Sequence, residues 1–274
     1  MSLRAVATHD VAAAAPAGAH HCVTHLRLNP PETRLAFLHR YDLPDGGEMT
    51  RLMTVGVGGE DLRCLARGFL SHFDWRDDEH VMIWGRRDER VAALRGHPAL
   101  AHPLLAGPLR LAKRAARCLL RRSAAASMSF LIATDRPDVP TQPMAVGVLT
   151  EDGHPMFCPA NRDWCVTDTY PSDAGVRTLM LYQVSENRRV DLGQFPMLAA
   201  EPDTTELGRA YDSLAPAVRR RFPPALYAFT RSGLHCDLHP RWNADGTRVA
   251  FDSIHEGTRQ VYALDVTSAM GGER

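Results

Sequence analysis

Four segments of the chain follow one plan, and no other pattern in it limits the choice of fold as strongly. Each segment has an apolar or aromatic residue, then a turn rich in Pro, Asn, Asp or Gly, then a short β-prone run. Turn residues followed by alternating apolar positions predict a β-hairpin. The segments are RLNPPETRLAFLH (27–39), FDWRDDEHVMIWG (73–85), MFCPANRDWCVTD (156–168) and PRWNADGTRVAFD (240–252).

Each repeat is followed by a second stretch that resembles a hairpin, at 50–66, 143–152, 177–193 and 259–266. Two hairpins per repeat form a four-stranded antiparallel sheet, which is the blade of a β-propeller. The alternative is a β-sandwich built from similar hairpins. We therefore predict an all-β fold, with a propeller-like domain over 21–266 and flexible ends at 1–20 and 267–274.

The spacing of the repeats is uneven, since the second and third begin at residues 73 and 156. The excess lies within 86 to about 135, and at about 90–130 a basic amphipathic sequence predicts a helical insert. Such a helix either senses an anionic polymer or membrane surface, or packs over a blade with its charges in water. A second insert, about 199–229, separates the last two repeats and is expected to form a short helix and a loop.

The composition narrows the classes of protein to be considered. Thirty-two basic and thirty-two acidic residues cancel, so no overall field attracts nucleic acid or an anionic membrane. Six cysteines without a C-x-x-C pair give no disulfide framework and favour a reducing compartment. The N-terminal sequence is too short and too interrupted by polar residues to predict a secretory or membrane segment. We expect a cytoplasmic protein with no nucleic-acid partner and no transmembrane segment.

Histidines recur close to the turns of the repeats. Because the inner strands of a propeller line one channel, residues at equivalent positions in different blades are expected to converge there. Asp168, Thr169, Tyr170 and Pro171 end a strand and are expected to line the same rim. The four histidines of this kind are His39, His72, His154 and His239.

The stretch HCDLHPRW (235–242) contains side chains that a borderline divalent metal accepts: imidazole, thiolate and carboxylate. On an extended strand His235, Asp237 and His239 share one side, and Cys236 faces the other. Burying so many polar groups requires either an ion or a hydrogen-bonded polar core. Both interpretations are open on the residues alone.

Two long segments, DGHPMFCPANRDWCVTDTYP and CDLHPRWNADGTRVAFDSIHEGTRQVYALD, resemble the second half of the propeller polysaccharide lyases related to oligogalacturonate lyase and ulvan lyase. AFLHRYDLPDGGEMTRLM and LSHFDW match earlier blades in the same order. The resemblance covers about 20–85 and 145–266. It implies propeller repeats of the TolB or WD40 type. Those enzymes close a ring of seven blades, and four repeats are visible here, so pairing with another subunit is one way to complete a ring.

The resemblance also implies an activity, namely β-elimination on a uronate-containing oligosaccharide. It assigns His72 as the base and Arg51 as the partner of the substrate carboxylate, and His39 is a third catalytic candidate. It places a divalent metal, manganese or zinc, at His154 and His239, with His235 and Cys236 as neighbouring candidates. The Gln-x-x-His-x-His motif of the oligogalacturonate lyases has a histidine where this chain has Asp237. The alternative is a non-catalytic propeller that binds a glycan or a protein and holds a structural ion.

Overall fold

The computed structural model describes residues 2–9, 19–43, 48–87, 128–197, 210–214, 219 and 236–271. Its described strands are antiparallel, and they confirm the prediction of an all-β, propeller-like fold. The chain divides into two compact units, Met1–Asp152 and Gly153–Arg274. Within the described residues, no helix is long and apolar enough to cross a membrane.

In its described part the first unit contains a short helix and seven strands, and the strands pair in sequence order as a continuous meander. One strand serves two neighbours: its residues 63–68 pair with the strand before it, and its residues 68–75 pair with the strand after it. Gly68, with φ 149, lies at the change of partner, where a side chain would be strained. The sheet is therefore two four-stranded blades joined through one shared strand. The elements are α1 (Leu3–Thr8), β1 (His21–Leu28), β2 (Arg34–Asp42), β3 (Glu48–Gly56), β4 (Arg63–Trp75, the shared strand), β5 (His80–Arg87), β6 (Ser129–Thr134) and β7 (Gln142–Met144).

The second unit contains a four-stranded and a three-stranded antiparallel sheet in its described part, each again in sequence order. Alternate residues of these strands point into a common core that includes Val166, Leu181, Val249 and Phe251. The strands are β8 (Met156–Phe157), β9 (Trp164–Asp168), β10 (Val176–Gln183), β11 (Arg188–Pro196), β12 (Arg241–Trp242), β13 (Arg248–Ser253) and β14 (Gln260–Asp265).

The first turn of each repeat is held by an Asn or Asp side chain, as the turn chemistry predicts. Asn29 Oδ1 accepts hydrogen bonds from the backbone N–H groups four and five positions later, at 2.9 and 2.8 Å. Asn243 does the same in the last repeat, at 3.0 and 2.9 Å. Asp77 and Asn161 accept from nearby N–H groups in the two middle repeats. The four predicted hairpins are therefore formed.

Two tryptophans tie the first strands of neighbouring blades together. Trp75 Nε1 donates to the carbonyl oxygen of Arg27 at 3.0 Å in the first unit. Trp242 Nε1 donates to the carbonyl oxygen of Met156 at 2.9 Å in the second. Both rings are buried. The two residues occupy the same position in their repeats, so the sequence repeat also specifies how adjacent blades pack.

Substitution of the turn asparagine tests this arrangement. Asn243→Ala is expected to lower the free energy of unfolding by about 1–2 kcal/mol, because the Arg248 N–H loses this acceptor and the Thr247 N–H keeps only Asp245 Oδ1 of its two. Asn29→Ala is expected to cost a similar amount, and Asp173→Ala, in an exposed turn, less than about 0.5 kcal/mol. Urea unfolding measures all three. Equal stability of Asn243→Ala and Asp173→Ala would show that the side-chain bonds do not hold the turn.

Two sequence expectations about the second blade differ from the structure. The hairpin predicted at 143–152 is not formed: β7 ends at Met144, and a turn follows in which the Leu149 N–H donates to Ala145 O at 3.0 Å. The third strand of this blade is instead β6, inside the stretch assigned to the first insert. The remainder of that insert, including its predicted helix, lies outside the described residues, as does most of the second insert.

The two chain ends, which were expected to be flexible, contain short elements in their described part. Helix α1 buries Val6 against Phe37 and Met53. After β14, residues 267–271 form a turn in which the Met270 N–H donates to Val266 O at 3.1 Å. Both segments are short, and each places apolar side chains against a core cluster, Val6 in α1 and Met270 in the turn.

Candidate functional site

His154, Asp237 and His239 come together in the second unit. One ligand atom from each lies within 4.8 Å of the other two. The two imidazole rings meet edge to face, with centroids 4.0 Å apart. Two imidazoles and a carboxylate are a donor set that suits zinc or manganese. The residues present therefore fit the divalent ion that the sequence implies, and we call these three residues the metal cluster.

Asp168, at the end of β9, accepts hydrogen bonds from both histidines of the metal cluster. Its carboxylate is fully buried. It accepts from His154 Nδ1 at 2.8 Å, from the His154 backbone N–H at 2.7 Å and from the His239 backbone N–H at 3.2 Å. Burial alone would raise the pKa of Asp168, but the hydrogen bonds and charge of His154 outweigh it and hold the pKa below its usual value. An ionised carboxylate at Nδ1 fixes the His154 ring, so an ion would have to use Nε2.

Two backbone features bring these groups together. Gly153 precedes His154 at a point where a Cβ atom would collide with the carbonyl oxygen of Asp168. His239 has a φ of 41, in the left-handed region, immediately before Pro240. Strain of this kind persists where the surrounding structure holds it, often at functional sites. Burial, followed by repulsion from His154, lowers the pKa of His239, which favours the neutral imidazole that metals bind.

Arg177 sets the charge of the metal cluster. Its Nη2 lies 2.6 Å from Asp237 Oδ1, and its side chain is almost completely buried. Arg177 Nη1 also donates to the carbonyl oxygen of Thr169 at 3.3 Å, and the guanidinium lies 5.7 Å from the centre of the Tyr170 ring. Arg177 offsets one of the two carboxylates, Asp168 and Asp237, so the carboxylates outnumber the arginine by one. That balance favours a cation.

The other two predicted metal residues are Cys236 and His235. Cys236 is buried, its Sγ lies 3.8 Å from the backbone oxygen of Asp237, and it is not among the three grouped side chains. Burial raises the pKa of its thiol, which disfavours the thiolate that metals bind. His235 lies outside the described residues.

His72, the predicted base, lies in β4 of the first unit at an interruption of the β4–β5 register. Its Nδ1 is 3.1 Å from Asp152 Oδ1 and 3.0 Å from Ser71 Oγ. A carboxylate at Nδ1 orients an imidazole so that Nε2 exchanges the proton, as in catalytic His–Asp pairs. The side chain retains 14% of its surface exposed. This arrangement is suited to general base chemistry.

Arg51 and His39 are adjacent to each other, and both are completely buried. Arg51 Nη1 and Nη2 donate to the carbonyl oxygens of His9 and Val6 at 2.8 and 2.7 Å. Arg51 Nε lies 3.2 Å from His39 Nδ1, so that nitrogen accepts and His39 Nε2 carries the proton, 2.9 Å from His21 Nδ1. The pair thus binds the end of α1 to the sheet.

The His39 pair predicts a pH dependence of stability. Burial, then the charge of Arg51, then His21, lower the pKa of His39 from 6.5 to about 4. Between these values the unfolded chain binds a proton that the folded chain does not, so stability falls as the pH falls from 6.5 to about 4. We expect a loss of roughly 1–3 kcal/mol from this group. Urea unfolding across this range should show it, and His39→Gln should flatten the profile. An unchanged profile in the variant would contradict this assignment.

Sequence reasoning missed two carboxylates that this geometry makes important. Asp168 was expected only at the rim, and its role depends on a contact with His154 across 14 positions. Asp152 pairs with His72 across 80 positions. Neither has a local motif. The one signal for Asp237 was its place in the spacing of HCDLHPRW.

Comparisons with known proteins identify no family for this chain and give only distant structural similarities. No family model matches the chain, and no curated protein matches it. Among solved structures, a protein described as TolB from Agrobacterium tumefaciens is 8% identical with a TM-score of 0.44, over 91% of this chain and 60% of that one. An oligogalacturonate lyase in complex with manganese is 13% identical with a TM-score of 0.42, over 92% and 67%. The tricorn protease is 9% identical with a TM-score of 0.45, over 90% and 21%. The chain thus spans less than two thirds of the TolB protein.

Proposed function

We propose that the protein is a metal-dependent polysaccharide lyase that cleaves uronate-containing saccharides by β-elimination. The observation that carries the proposal is the metal cluster, with Asp168 behind it. The order of the residues along the chain agrees, since His154 and His239 are the positions at which the resemblance to the propeller lyases places metal ligands. The His72–Asp152 pair adds a group suited to removing a proton from carbon.

The proposed reaction divides the work among these groups. In the second unit, an ion held by His154, Asp237 and His239 would supply positive charge for a saccharide carboxylate. In the first unit, His72 removes the C5 proton of a uronate through Nε2, while Asp152 stabilises the imidazolium that forms. The C5–H electron pair becomes the C4–C5 double bond, and the C4–O bond breaks. Asp168 keeps His154 in the orientation and tautomer that coordination needs.

The test is the ultraviolet absorbance of the unsaturated product on a panel of uronate oligosaccharides. Wild type is expected to produce it, and His72→Gln to lose roughly 10²–10⁴-fold in rate. His80→Gln is the matched control, because His80 is also paired with an aspartate, Asp77 at 2.8 Å, in the same sheet. Absence of product from metal-loaded wild type on every uronate would overturn the proposal.

One observation favours the second candidate, a non-catalytic propeller that binds a glycan or protein and holds a structural ion. Arg51, which the resemblance assigns to the substrate carboxylate, is completely buried and donates to the carbonyl groups of α1. In this function the metal would stabilise the second unit without turnover. A chelator would then lower the melting temperature, and glycan-array binding would be seen without ultraviolet absorbance.

A further inference from the structure

Two interruptions of strand pairing bring a second histidine to His72. The β1–β2 register shifts between Thr24 and Arg27, and the β4–β5 register shifts between Leu70 and Phe73. The first shift contains His25 and the second contains His72. Their rings lie edge to face with centroids 5.4 Å apart. Bulges often re-aim side chains beside active sites.

The backbone at His25 is strained, inside the interruption of the β1–β2 pairing. Its φ is 55, in the left-handed region that few residues other than glycine adopt. His25 is exposed to solvent, and its Nδ1 lies 2.9 Å from Thr24 Oγ1. A left-handed residue held in place suggests a function for the side chain that it positions.

Contacts between β1 and β4 lie next to His25 and His72 in the sequence. Arg27 Nε, two residues after His25, lies 2.7 Å from Asp74 Oδ1, two residues after His72. The Trp75 indole also donates to Arg27 O at 3.0 Å. These bonds join β1 and β4 two or three residues beyond the histidines, so they restrain the backbone that carries the two rings. Fixed geometry of this kind is a requirement of acid–base catalysis.

We propose that His25 and His72 are an acid–base pair, with His25 as the proton donor to the leaving oxygen at C4. This rests on the proposed function, in which His72 is the base. His72 takes the C5 proton, the C4–O bond breaks, and its electron pair remains on the oxygen, which takes a proton from the His25 imidazolium. The products are an unsaturated uronate and a sugar hydroxyl. Proton exchange with water returns His72 to its neutral form and His25 to its charged form.

The spacing of the rings also selects the substrate. Each catalytic nitrogen has to come within about 3 Å of the atom it serves. Rings in contact leave no space for a sugar between them, so both nitrogens reach the sugar from one side. The C5 proton and O4 must then lie on the same face of the pyranose. They do so in glucuronate and mannuronate and not in galacturonate, so we assign the gluco- or manno-configured uronates as substrates.

The experiment compares His25→Asn with wild type on two glucuronates, one with a sugar at O4 and one with a nitrophenyl group there. Asn tolerates the left-handed backbone and cannot supply the proton. We expect a loss of roughly 10²–10³-fold on the sugar ether and less than about 10-fold on the nitrophenyl ether, because nitrophenoxide leaves without protonation. His80→Asn is the control, and the melting temperature verifies folding. Galacturonate oligomers are expected to react roughly 100-fold more slowly with wild type.

The outcomes separate the two proposals. Elimination by wild type with no loss in His25→Asn, or with equal losses on both leaving groups, overturns the role of His25 and leaves the proposed function in place. Faster reaction on galacturonate overturns the one-sided geometry. No elimination by wild type on any of the substrates overturns the proposed function and this inference with it.

Discussion

Asp168→Ala is expected to lower metal affinity at least 10–100-fold and to destabilise the protein by about 3–5 kcal/mol. The side chain accepts three hydrogen bonds from His154 and His239 in a place that water does not reach. Without it, buried donors lose their acceptor, and the His154 ring loses the group that fixes its orientation. Calorimetric metal titration and urea unfolding measure the two effects separately.

Two further variants separate charge from shape at this position. Asp168→Asn keeps an acceptor and removes the charge, so we expect the loss of affinity with a smaller loss of stability. Asp173→Asn, the same substitution at an exposed position, should change neither. If Asp168→Asn binds metal as tightly as wild type, Asp168 does not support the metal cluster electrostatically.

Asp135→Ala is expected to cost about 3–5 kcal/mol in the free energy of unfolding, because it breaks a buried ion network. The Asp135 carboxylate is 2% exposed and pairs with Arg34 and with Arg63, the latter at 3.1 Å. It also accepts from Thr54 Oγ1 at 2.5 Å. Removing it leaves two partly buried guanidinium groups without their central carboxylate.

The matched control for Asp135 uses the same two arginines. Asp61 also pairs with Arg34 and Arg63, but its side chain is 49% exposed. Asp61→Ala is therefore expected to cost less than about 1 kcal/mol, since water screens exposed pairs. Urea unfolding of both variants is the measurement. Equal losses would mean that burial does not set the strength of this network.

The local parts of the fold could be predicted from the sequence because their causes are local. Asn29 and Asn243 each bind N–H groups within five positions, so the turn is determined by the residues that form it. The alternation after each turn places the core residues. The repeat position of Trp75 and Trp242 extends this to the packing between neighbouring blades.

The second blade could not be assigned correctly, for a physical reason. β5 ends at Arg87 and β6 begins at Ser129, so the two paired strands are far apart in sequence and no turn motif joins them. The Pro and Gly residues of 143–152 gave the stronger hairpin signal, although they form a turn after β7. Nor does any residue pattern show that β4 serves two blades, since its change of partner at Gly68 depends on both neighbouring strands.

Among the candidate site residues, too, some could be predicted from the sequence and others depend on tertiary contacts. His154, Asp237 and His239 contain suitable ligand atoms, and the sequence could name them as such. The hydrogen bonds that Asp168 accepts from His154 and His239 join segments that are distant in sequence. No spacing of residues in the sequence predicts them. The left-handed backbone of His25, which turns that ring toward His72, is likewise a tertiary effect.

The metal cluster is tested most directly by titrating manganese and zinc into protein freed of metal with a chelator, with elemental analysis of the bound ion. We predict saturable binding of one ion at these described residues, lost in both His154→Ala and His239→Ala and retained in His80→Ala. Binding that neither substitution weakens, or no saturable binding of either metal by wild type, would contradict the assignment of a metal centre to these residues.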